Sequence, residues 1–267
     1  MEKMKTFIKN FATSQASEVS STTHVMQWIE NSFDIESIPH AAIDELVQLA
    51  EVAEDKSKIA LIDLFRLLIL KEEQAEYVLA RHWELFEVCI IGYIQAQNLQ
   101  DTEAKIMQNY HQMSLKLLAN VFATAKGRAS MRDEERARAL IGFCNISFTS
   151  CNQKVIIHAA LVLFNYLLAF EKESKKNVHA FLELATRGVE AQLKNVELVD
   201  KDTIVTLLLC LCRLLYKNHD LTSWVEKSFL ELGQTLKALK ARTASMSAEV
   251  GHAIADVMSM TEFSEDS

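Results

Sequence analysis

Proline and glycine are almost missing from this chain, which has one Pro, at Pro39, and 6 Gly in 267 residues. A sheet protein needs tight turns at every corner, and those turns rest on Gly, Pro and Asn-Gly or Asp-Gly pairs at special backbone angles. The shortage excludes a largely β architecture and predicts an all-α chain. Cysteine is sparse as well. Cys89, Cys144, Cys151, Cys210 and Cys212 are odd in number, lie in apolar stretches and show no Cys-x-x-Cys or Cys/His metal spacing, so they read as reduced core thiols. A Gly-rich phosphate loop, a His-Glu-x-x-His pair and a nucleophile elbow are all absent from the sequence. Cys151 and His158, seven apart on one helix side, would sit roughly 10 Å apart along the axis, too far for a nucleophile and its base. His24, His40, His82, His111, His179, His219 and His252 are scattered singly, and most read as surface or helix-end residues. The expectation is no catalytic residue, no metal and no cofactor.

Positive charge is also in deficit. A net charge of -8 repels nucleic acid and anionic lipid at long range, so neither is an expected partner. The longest uncharged run, Val155 to Phe170, contains His158 and Asn165 and is shorter than the ~20 residues a bilayer requires. The N-terminal MEKMKTFIKNF has lysines scattered where a secretory signal needs an unbroken apolar stretch, which points to a cytoplasmic or nuclear chain. Against these absences stand 49% hydrophobic and 24% charged residues, globular values that let burial offset ordering entropy.

Apolar residues recur at three- and four-residue spacing nearly throughout, the pattern of successive amphipathic helices. The cores are expected at 41–53, 57–71, 82–96, 103–124, 134–148, 153–171, 177–194, 202–217, 222–240 and 246–260, with two further helices in the first 32 residues. Ser57, Asp101 or Thr102, Asn152, Asp202 and Thr222 stand where side-chain caps belong. The Ser/Thr-rich 12–23 suggests a flexible linker, which divides the chain into an N-terminal segment 1–23, a helical-repeat domain 24–260 and an acidic tail 261–267. Four helices, beginning near Leu61, Met113, Ala159 and Ile204, are apolar all round and are expected to be buried on all sides, as inner helices of a stacked repeat. Their markers Arg66, Asn120, Asn165 and Thr206 are 54, 45 and 41 residues apart, near the ~40–47 of armadillo and HEAT repeats. A right-handed superhelix of stacked helices is the preferred architecture, and a globular α-bundle is the alternative.

Three of these inner helices carry motifs in a fixed order: ALIDLFRLLIL, SLKLLANVF and HAALVLFNYLLAF. They resemble the Asp-x-x-Arg-Leu, Arg-x-x-x-Asn-Cys-Phe and Ala-x-x-x-x-x-Asn-Tyr helices of the PUL domain, the helical module of phospholipase-activating protein and its fungal relatives. The likeness covers roughly 24–245. It implies an armadillo-like, non-enzymatic adaptor whose concave groove binds the C-terminal tail of the AAA ATPase valosin-containing protein, with ubiquitin-system proteins as further partners. A scaffold for some other protein is the alternative.

Individual residues admit two readings each. Arg66, a charge inside LFRLLIL, either pairs with Asp63 three residues earlier or faces a wetted groove, where the resemblance places a carboxylate-binding arginine. Asn120 and Asn165 either bond a neighbouring helix end or form a ladder that holds an extended peptide. Lys116 shares a face with Asn120 and stands where the family has Arg, although a solvated lysine fits equally. Thr206 occupies the position of a further family arginine, and Arg213, seven residues on, could supply that charge or serve a helix end. The candidate peptide-binding groove is therefore Arg66, Lys116, Asn120 and Asn165, as the resemblance implies, with Arg213 added from its place on the helical face of Thr206.

Overall fold

The computed structural model describes residues 2–86, 101–150, 152–170, 175–194, 200–217, 226–243 and 248–262. Among the described residues every regular element is an α-helix, in keeping with the shortage of turn formers. In chain order they are α1 Glu2–Ser14, α2 Thr23–Asn31, α3 His40–Val52, α4 Asp55–Leu68, α5 Glu72–Arg81, α6 Asp101–Val121, α7 Ala125–Ser130, α8 Glu134–Phe148, α9 Gln153–Ala169, α10 Lys175–Lys194, α11 Lys201–Lys217, α12 Glu226–Thr243 and α13 Ala248–Glu262.

Most expected cores fall on a helix displaced by only a few residues. Two helices escape the periodicity: α5, whose polar EEQAEYVLAR buries only Gln74, Ala75, Val78 and Leu79, and α7, which is too short to show a repeat. Of the helix expected over 82–96, residues 83–86 are helical and 87–96 lie outside the described residues. Among the caps, Asn152 accepts from the Lys154 N–H at 2.9 Å. Ser57 and Asp202 do not cap: α4 begins earlier, at Asp55, and Asp200 accepts from the Thr203 N–H at 3.0 Å, two residues upstream of the expected position. α6 begins at Asp101, but the side chains of Asp101 and Thr102 lie outside what is described, as do Thr222, Cys89, Cys151 and His219 altogether.

The chain divides into two compact units, Met1–Arg136 and Ala137–Ser267. In the first, α4 packs chiefly on α6, α1 lies on α2 and α4, α3 touches α2, α4 and α5, and α5 supports α7. Its core includes Trp28, Leu46, Leu61, Phe65 and Leu118. In the second, α11 is central, bordered by α9, α10 and α13, with α12 against α10 and α13. The Tyr166 ring lies 4.6 Å from those of Phe170 and Phe181. Each fully buried large apolar side chain stabilises its unit by ~1.5–3 kcal/mol. Cys144 and Cys210 are buried free thiols, and burial pushes Cys144 up to about 12, which leaves it an unreactive core residue.

Burial on all sides does not hold for the four apolar helices. Leu161, Leu168 and Leu209 are 38%, 50% and 44% exposed, and Leu70, two residues past α4, is 41% exposed. An inner helix of a stack has neighbours around most of its girth and one face left to water, so apolar residues there remain wet. Polar residues of the same helices are also only partly covered: Asp63 and Arg66 on α4, Lys116 and Asn120 on α6, Asn165 on α9, and Thr206 and Arg213 on α11 are all half-buried.

Candidate functional site

Helix ends create the first demand on polar side chains. The last four carbonyls of an α-helix lack main-chain donors, and a left-handed glycine just past the end commonly closes them. Here glycine is scarce, and among the described residues no glycine has positive φ. Side chains from other helices take over. Asn120 Nδ2 donates to the Arg66 carbonyl at 2.9 Å, Arg136 reaches the Leu79 carbonyl at 3.2 Å, and Arg128 reaches the Phe122 carbonyl at 2.9 Å. In the second unit Arg213 donates through Nε to the Leu167 carbonyl and through Nη2 to the Leu168 carbonyl.

In the first unit, Arg66 and Asp63 sit one turn apart on the partly wetted face of α4. Arg66 Nε donates to Asp63 Oδ1 at 2.7 Å, with side chains 28% and 29% exposed. Such a pair contributes only ~0.2–1 kcal/mol, because water screens it. It leaves the two Nη groups, four N–H donors in a planar fork, available to a carboxylate. The two readings of Arg66 thus coexist in one geometry. Lys116 lies one turn before Asn120 on the same side of α6, half-buried and, among the described residues, without an ion-pair partner. Asn120 itself is committed through Nδ2 to the α4 end.

In the second unit, Asn165 lies between the exposed Leu161 and Leu168 along α9, while Arg213 lies between the exposed Leu209 and Tyr216 along α11. These wet apolar side chains were not foreseen, since composition alone does not reveal which flank of an apolar helix is uncovered. Thr206 turns its hydroxyl onto its own helix, donating to the Asp202 carbonyl at 2.7 Å. Removing Arg213 should strand the α9 carbonyls: Arg213→Ala is expected to lower stability by about 1–2 kcal/mol in urea denaturation, with Arg213→Lys restoring little because an ammonium lacks the fork. Equal stability of all three chains would show that the α9 end is satisfied without it.

A second polar cluster lies between α3 and α5, a helix whose polar sequence carries too few apolar residues to show a period. Tyr77 donates to Asp44 at 2.8 Å, His82 Nε2 meets the same carboxylate at 2.7 Å, and the His40 and Tyr77 rings stack at 3.8 Å. Burial, then the hydrogen bond and charge of Asp44, push the Tyr77 phenol up. The cluster ties α3 to the end of α5. Among the described residues no group of three or more His, Cys, Asp or Glu could hold a metal, and no helix is long and apolar enough to cross a membrane.

Comparison with protein families matches residues 1–257 to the PUL domain. The chain belongs to the PUL-domain family. Its all-α, armadillo-like class follows, and so does its general role as a protein-interaction module. The match includes α1 and α2 and therefore starts earlier than the motif likeness over 24–245. No curated protein and no solved structure matches this PUL domain.

Proposed function

We propose that this PUL domain is a non-enzymatic adaptor that binds the C-terminal tail of the AAA ATPase valosin-containing protein, in ubiquitin-dependent protein turnover. The observation that carries this reading is Arg66, a half-buried guanidinium oriented through Nε by Asp63, with its Nη fork open to a carboxylate. Lys116 adds a second cation on the neighbouring helix. In the second unit, Asn165, which matches the family motif, and Arg213, through the guanidinium N–H groups not spent on the Leu167 and Leu168 carbonyls, are further tail contacts, beside the exposed Leu161, Leu168 and Leu209. A chain of net charge -8 can capture an acidic terminus this way only through a few locally placed cations.

Titration calorimetry with the tail peptide tests this directly. Arg66→Ala should weaken binding at least ~10-fold, equivalent to about 1.4 kcal/mol, while the melting temperature moves little. Amidating the peptide terminus should cost a comparable factor, and added salt should weaken the complex because the attraction is ionic. Unchanged affinity in Arg66→Ala would remove this residue from the site. Thr206, with its hydroxyl turned back on Asp202 where the family carries an arginine, favours a second reading as a scaffold for another protein. That reading prevails if the unsubstituted chain fails to bind the tail peptide.

A further inference from the structure

The two bonds made by Arg66 differ in kind, one at the guanidinium and one at the main chain. Asp63 holds the Nε at 2.7 Å, within α4. Asn120, from α6, donates to the Arg66 carbonyl at 2.9 Å. That carbonyl lies where α4 loosens: the Ile69 N–H reaches back to Phe65, but the Leu70 N–H bonds to Leu67 at 3.3 Å and the Lys71 N–H to Leu68 at 3.0 Å, three residues back in place of four. The Leu70 N–H that would continue the α ladder to Arg66 is therefore diverted, and the Asn120 amide takes its place. An arginine in the last turn of a helix is aimed by that turn. If the turn frays, the guanidinium samples many rotamers, and ordering it on binding costs affinity.

We infer that Asn120 and Asp63 are positioning residues for Arg66, and that Asn120 acts on a bound peptide through the α4 end with no contact to the peptide itself. This rests on the carboxylate-binding role proposed above for Arg66. It departs from the ladder expected from the sequence, in which Asn120 would hold peptide backbone directly: the amide nitrogen spends one of its two N–H donors inside the protein, on the Arg66 carbonyl. Asp63 carries charge of the same sign as the ligand, so its value lies in orientation, and its effect should be smaller than that of Asn120.

A double-mutant cycle on the full chain, read by titration calorimetry with the tail peptide, separates the possibilities. Asn120→Ala should weaken binding ~3–10-fold when Arg66 is present and should change nothing in the Arg66→Ala background. An equal loss in both backgrounds means direct contact with the peptide and overturns the inference while leaving the adaptor role intact. No loss in either background also overturns it. A ligand-free measurement stands apart from the adaptor role: the Arg66 Nε–H, held by Asp63, should give a protected NMR resonance that exchanges faster in Asn120→Ala. If Arg66→Ala leaves tail affinity unchanged but this resonance still depends on Asn120, the role assigned to Arg66 fails and the positioning stands. If the resonance is indifferent to Asn120, the positioning fails. Asn120→Gln, which keeps an amide donor, should recover part of the protection, and serves where the alanine variant unfolds.

Discussion

Alanine at Gly127 is expected to destabilise the chain by about 3 kcal/mol or more. Gly127 is the third residue of α7, and its N–H donates to the Thr124 hydroxyl oxygen at 3.1 Å, the N-cap bond of this short helix. Only Phe122, Ala123 and Thr124 separate α6 from α7, and this reversal folds the end of α6 back over the new helix. A Cβ on Gly127 would come to 1.8 Å from the Val121 carbonyl oxygen and 2.8 Å from the Thr124 hydroxyl. The first of these is main chain and cannot rotate away. Nor can α7 move freely, because the Glu72 carboxylate accepts from the Ala125 and Lys126 N–H groups at 3.1 and 2.8 Å and the Lys126 ammonium meets Glu76 at 2.7 Å. Gly142 and Gly251, also helical, have nothing within 4 Å of an added Cβ. Alanine at either should stabilise by ~0.5–1 kcal/mol through helix propensity and a less flexible unfolded chain. Denaturant unfolding of the three variants checks this pattern of opposite signs. A Gly127→Ala chain as stable as the others would mean that the α6–α7 corner relaxes freely.

This glycine also shows what was legible in the sequence and what was not. Scarcity of Gly and Pro, together with the three-and-four spacing of apolar residues, was enough for the helices, because both are local properties of the chain. It could not say which of the six glycines stands against another backbone, since a close approach is a tertiary fact. The same holds for the candidate site. The Asp63–Arg66 pair was readable because both ends lie within one turn of one helix. The bonds of Asn120 to the Arg66 carbonyl and of Arg213 to Leu167 and Leu168 span 54, 46 and 45 residues, and sequence reasoning could say only that such groups need partners. Those partners follow from the same scarcity: without glycines to close helix ends, longer polar side chains from other helices close them. His111 is an exception to the surface or helix-end placement expected of most of the histidines. A lone histidine at helical spacing says nothing of which face it occupies, and α6 turns it into the core, where it is fully buried.

That burial makes His111 the main source of acid sensitivity expected near neutrality. Loss of solvent penalises the imidazolium, and the folded-state pKa is lowered to about 3 from an ordinary 6.5. The sign follows from proton uptake. Between those two values the unfolded chain carries a proton on His111 and the native chain does not, so stability falls as pH falls from about 6.5 toward 3 and is fully present above that window. At about 1.4 kcal/mol per pH unit the loss reaches ~2 kcal/mol by pH 5. Carboxylates act in the same direction but lower down. Burial tends to raise Glu45, yet hydrogen bonds from the Val25 N–H, Ser21 and His24 outweigh it and hold its pKa below 4.5, so its contribution is lost only as pH falls through that lower range. The interval from pH 7 to pH 5 therefore lies above the range in which Glu45 acts, and substitution of His111 separates its share there from that of other groups. His111→Gln cannot take up a proton, and its urea-unfolding free energy should decline by ~2 kcal/mol less over that interval than that of the unsubstituted chain. Parallel declines would place the proton uptake on another group and show that His111 gains solvent, or a charged partner, in the native protein.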